Sequence, residues 1–159
     1  MAVLAFDVAL SVGWCAWRQG NRIESGRKDF AKVDPHDDGL RFLAWRQWLT
    51  AKRNEIIKAG ETLESIVFES VDFIPQKNGV YSAHIYGAMW GNLASWCAFH
   101  KIDCRGINVA TIKKHVTGHG SAAKSLVTAR INAIYPHITQ HDEADAVAVM
   151  LTAQNKFAA

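Results

Sequence analysis

Cysteine is scarce, and the three present, Cys15, Cys97 and Cys104, are odd in number and lack C-x-x-C or Cys/His spacing. That excludes a disulfide framework and a structural zinc site. No apolar run approaches the length of a membrane span, and Met1-Ala-Val-Leu-Ala-Phe-Asp has neither a basic leader region nor a cleavage site. A protein free of membrane and cytoplasmic in location is expected. Charge of one sign is also lacking: 18 Lys and Arg against 15 Asp and Glu leave a formal +3, which permits a polyanionic partner without demanding one. Internal repeats and low-complexity stretches are absent, which excludes solenoids and arrays.

About half of the 159 residues are apolar, enough for one ordinary domain, taken as 1–159, to bury a core unaided. Met1–Val8, Val12–Arg18 and Arg22–Phe30 read as three strands joined by tight turns. Leu40, Leu43, Ala44, Trp48 and Ala51 recur at helical spacing and predict a helix over Gly39–Ala59. Ser65–Glu69 reads as a buried strand, Tyr81–His100 as a helix and Lys101–Val109 as a strand. Two further helices are read over Lys124–Tyr135 and Asp142–Lys156. The order suits an α/β domain with a mixed five-stranded sheet covered on both faces. Pro75–Gly79 is the best candidate for an exposed loop.

Two of the predicted strands end in an acid. An uncompensated charge there costs several kcal/mol, roughly, unless something offsets it, so Asp7 and Glu69 demand a reason. Brought side by side, two carboxylates share a proton or bind a cation. Asp142 and Asp145, three apart at a helix start, share one face. Blander readings remain: Asp142 also fits as an N-cap, and Asp7 fits as an acceptor for turn amides near Ser11. Together, two strand-end acids and an i, i+3 pair suit an oxygen-ligated Mg²⁺ or Mn²⁺. Two ions held about 3.5 to 4 Å apart activate a water on one side of a phosphate and stabilise the leaving oxygen on the other.

Asp7, Val67-Phe-Glu69, the stretch Lys113-Lys-His-Val-Thr-Gly118-His-Gly120-Ser-Ala-Ala-Lys124 and Asp142-Glu-Ala-Asp145 together resemble the RuvC-type Holliday junction resolvases. Gly87-Ala-Met-Trp-Gly91 adds to the likeness. The turn after Asp7 is one residue shorter than the Asp-Pro-Gly form usual in that family, as expected of a phage or mobile-element version. The resemblance implies an RNase H-like fold, a homodimer and paired nicking of four-way DNA junctions. It also implies Asp7, Glu69, Asp142 and Asp145 as catalytic, metal-binding acids for two Mg²⁺ per active site, with Mn²⁺ substituting. A helicase partner is not specified.

Lys113 and Lys124 flank Gly118-x-Gly120, where backbone amides and ammonium groups would approach phosphate. Lys114, His115, His119 and Lys77 are supporting candidates, each equally readable as a solvated face. Phe73, with Tyr81 behind it, is read either as stacking on an unpaired base, a contact on the order of 1 to 3 kcal/mol, or as core packing. Trp45, Trp48, Trp90 and Trp96 fit core or interface packing better than stacking. Three other functions compete: an RNase H-like nuclease on hybrids or flaps, a non-cleaving junction binder, and a phosphate-binding lobe of the actin or sugar-kinase type. The last needs a second lobe that this chain is too short to hold.

Overall fold

The computed structural model describes residues 1–72 and 79–157. Its elements are β1 (Ala2–Asp7), β2 (Ser11–Arg18), β3 (Arg22–Asp29), α1 (Asp38–Lys58), β4 (Leu63–Ser70), α2 (Gly79–His100), β5 (Asp103–Asn108), α3 (Val109–Thr117), α4 (Lys124–Ile134) and α5 (His141–Phe157). The sheet runs β3-β2-β1-β4-β5. The first three strands are antiparallel neighbours, whereas β1, β4 and β5 run parallel. The carboxyl ends of β1 and β4 therefore lie side by side, the usual place for a site in such sheets.

Strict alternation divides the core. Leu4, Phe6, Ile66 and Phe68 point to one face with Trp45 and Leu49 of α1 and Met89 and Leu93 of α2; Ala5, Cys15 and Val67 point to the other with α5. On the first face Phe6 meets Trp45 edge-on at 5.3 Å and Trp45 stacks on Trp48 at 5.7 Å, each such pair adding roughly 0.5 to 1.5 kcal/mol beyond burial. The indole N–H of Trp45 donates to the carbonyl of Met89 at 3.1 Å, so this buried polar atom is satisfied. On the second face α5 is sandwiched between the sheet and α3 and α4, and Ala144 through Met150, apart from the nearly buried Asp145, are wholly inaccessible. A helix apolar almost all round is what full burial requires.

One helix was not foreseen. Residues 109–117 form α3, opened by the Asn108 side chain accepting from the Ala110 amide and closed by Gly118 at φ 85°. Gly118 thus serves as a left-handed helix cap, and at Gly120 an added Cβ would stand a tight 3.2 Å from the Ala110 carbonyl oxygen. The two glycines read from sequence as a phosphate loop have a folding role. All three cysteines are free, two of them buried. Among the described residues no helix is long and apolar enough to cross a membrane.

Candidate metal and nucleic-acid site

Parity places the acids. On β1 the α5 face takes Ala5 and then Asp7; on β4 it takes Val67 and then Glu69. Phe6 pairs with Phe68 in the parallel ladder, so Asp7 and Glu69 stand one step further along adjacent strands. α5 delivers the other two acids from above. It begins at His141, with the Ala144 amide donating to the Gln140 carbonyl at 3.0 Å; Asp142 therefore lies inside the first turn rather than at the N-cap. Gly13, opposite Asp7 on β2, permits this approach: a Cβ there would sit 1.7 Å from the Asp142 carbonyl oxygen.

The acids surround one ammonium group. Lys124 Nζ lies 2.6 Å from Asp145 Oδ2, 3.9 Å from Asp7 Oδ2 and 4.0 Å from Asp142 Oδ1. Burial pushes the Asp7 carboxyl up to about 8, with the charges of Glu69 and Asp145 adding to the rise. Burial and then the Asp145 charge raise Glu69, although Lys124 and Lys113 pull it back. Asp145 is also raised, by burial first, against the opposing hydrogen bond and charge of Lys124. Burial pulls the Lys124 ammonium down, but the Asp145 hydrogen bond and the surrounding acids outweigh it, so the net shift is upward. With all four acids ionised, this pocket would hold more negative charge than one lysine neutralises.

A divalent cation fits such a donor set. The groups are carboxylate oxygens, the preference of Mg²⁺ and Mn²⁺, and the chain already puts a cation of its own among them. Among the described residues no three His, Cys, Asp or Glu side chains stand as a finished ion cage; they are gathered about Lys124.

The remaining sequence candidates divide. Lys113, half-buried on α3, lies near enough to Glu69 to lower it. Lys114, His115 and His119 are exposed. Next to the acid pair, though not one of those candidates, His141 turns to Thr128, its Nδ1 at 2.6 Å from the hydroxyl. Tyr81 is tied to α1, its hydroxyl 3.1 Å from Arg41 Nη1 and 3.2 Å from Asp38 Oδ1. Phe73 and Lys77 lie outside the described residues. Trp45 and Trp96 are core, whereas Trp90 is 44% exposed.

Two participants escaped sequence reasoning. Ser11 Oγ donates to Asp142 Oδ2 at 2.7 Å, and Arg27 Nε donates to the same oxygen at 3.0 Å and to the Ser11 hydroxyl. The alternation of β3 gave Arg27 a face but not a partner 115 residues away.

No family model matches the chain. It is similar to the crossover junction endodeoxyribonuclease RuvC of Rickettsia akari, 29% identical over 164 residues, and to that of Rickettsia felis, 30% identical over 167, with 96% of each chain covered in both cases. Among solved structures it is similar to Thermus thermophilus RuvC in complex with Holliday junction substrate, with a TM-score of 0.72 at 17% identity over 96% of this chain and 92% of that one. It is similar also to the yeast mitochondrial Holliday junction resolvase Ydc2, with a TM-score of 0.57 at 11% identity over 98% and 82%. The RNase H-like α/β fold expected from the sequence is the fold observed.

Proposed function

The chain belongs to the RuvC family of crossover junction endodeoxyribonucleases, and we propose that it resolves four-way DNA junctions by metal-dependent paired nicking, through Asp7, Glu69, Asp142 and Asp145 in the single domain 1–159. The observation that carries this reading is the gathering of Asp7, Asp142 and Asp145 within 4.0 Å of Lys124, with Glu69 raising Asp7 beside them. Two Mg²⁺ per site, replaceable by Mn²⁺, would supply water activation and leaving-group stabilisation.

The chain's own residues prepare the substrate side. Asp7 and Glu69 ride on strand ends and Asp145 on a buried helix, so the acids sit on rigid elements. Lys124, which pairs with them in the free protein, is 54% exposed and long enough to turn toward a phosphate oxygen once the acids have another cation. Lys113 stands on the Glu69 side for a neighbouring phosphate, and Lys114, with Lys77 and Phe73 beyond the described residues, extends the candidate DNA surface.

Paired cuts need two sites related by a two-fold axis. The exposed side of α2 suits a homodimer contact: Gly87 has open space above it, and Trp90 is the large apolar residue beside it. The test is a labelled synthetic four-way junction with Mg²⁺, Mn²⁺ or EDTA beside flap, duplex and RNA/DNA hybrid. Symmetric cuts at the junction in metal are expected; cutting of hybrid but not of junctions contradicts the reading.

A further inference from the structure

Arg27 has no task in the cleavage scheme, yet it belongs to the same row of the sheet as Asp7. Asp7 pairs with Gly13 on β2, and Gly13 pairs with Arg27 on β3. The bare Gly13 leaves the middle of the row open, and the backbone of Asp142 settles over it. The Asp142 carboxylate then has Lys124 and the other acids on one side and Arg27 on the other.

Its two oxygens are treated differently. Oδ2 accepts from Ser11 Oγ at 2.7 Å and from Arg27 Nε at 3.0 Å, while Oδ1 faces Lys124 Nζ at 4.0 Å. The Arg27 Nε also donates to Ser11, so the three groups lock one another. A tether between helix and sheet does not require this arrangement, because the next row already supplies one: Ser25 Oγ donates to Glu143 Oε1 at 2.7 Å. We propose that Arg27, acting with Ser11, is a positioning residue that makes Asp142 a one-oxygen ligand, retaining Oδ2 and presenting Oδ1 to the metal-binding cluster. The proposal rests on the reading of these acids as metal ligands.

The test measures Mn²⁺ binding by calorimetry without DNA, junction affinity in EDTA, nicking rate at saturating Mg²⁺, and melting temperature. Arg27→Gln and Ser11→Ala are each expected to weaken Mn²⁺ binding and slow nicking by about tenfold, the usual effect of losing a partner behind a ligand, with junction affinity in EDTA unchanged. Arg27→Lys, which keeps a donor and the charge, is expected to recover part of the Mn²⁺ affinity, and it covers the case in which Arg27→Gln does not fold. Ser25→Ala is expected to lower the melting temperature alone. Wild-type Mn²⁺ binding in both Arg27→Gln and Ser11→Ala would overturn the proposal. So would a defect confined to junction affinity, or the same Mn²⁺ defect in Ser25→Ala. If the wild type binds Mn²⁺ but does not cut junctions, the functional reading fails while the Mn²⁺ titrations still decide the role of Arg27.

Discussion

Lys124 Nζ stands 2.6 Å from Asp145 Oδ2, with the carboxylates of Asp7 and Asp142 within 4.0 Å of it. The ammonium and a metal ion are alternatives for the same negative potential, so the lysine both stabilises the free protein and competes with the ion. Lys124→Ala is expected to destabilise the metal-free protein by on the order of 1 kcal/mol, the ion pair being screened at a half-exposed lysine. The difference should shrink at millimolar Mg²⁺. Thermal melts with Mg²⁺ and with EDTA check both statements.

The pH dependence has a definite sign. Asp7 rises from 3.8 to about 8 in the folded chain, and Glu69 and Asp145 shift the same way. A carboxyl with a raised folded pKa contributes stability that is fully present below its unfolded value and is lost as pH rises through its folded one. Metal-free protein should therefore lose stability between about pH 4 and pH 9 as these groups ionise. Asp7→Asn should flatten that slope and melt above the wild type at the alkaline end without metal. Added Mg²⁺ should raise the wild-type melting temperature more at the alkaline end than at the acidic one, because bound metal favours the ionised acids.

Gly13→Ala tests the route by which α5 reaches the sheet. Its Cβ would meet the Asp142 carbonyl oxygen at 1.7 Å, a backbone atom that cannot step aside alone. A loss of about 3 kcal/mol in urea denaturation is expected, at the upper end of overpacking costs, together with loss of Mn²⁺ binding as Asp142 and Asp145 withdraw.

Trp90→Arg tests the proposed dimer face. With 44% of Trp90 exposed, the substitution should leave the fold intact while shifting the protein to monomers in sedimentation. Paired cuts on a junction should then become unlinked single nicks.

Much of this was legible in the chain because burial writes itself into local pattern. An acid closing an apolar run, as at Asp7 and Glu69, needs a reason that sequence alone can demand, and the i, i+3 spacing of Asp142 and Asp145 already places them on one helix face. What stayed hidden was non-local or polar. Arg27 reads as one more charge on an alternating strand until α5 arrives over Gly13. α3 escaped although Val109, Ile112 and Val116 keep a helical period, because the segment is short and Lys113, Lys114 and its capping glycine resembled a phosphate loop. Asp142 fitted an N-cap until the observed helix start at His141 placed it within the first turn.

The most direct measurement compares wild type, Asp7→Asn and Glu69→Gln on an end-labelled four-way junction, scoring cleavage in Mg²⁺ and binding in EDTA. The expected result is symmetric nicking by the wild type alone, with cleavage lost in both variants and junction binding retained in all three. Continued junction cleavage by Asp7→Asn and Glu69→Gln at the wild-type rate would contradict the assignment of the catalytic acids.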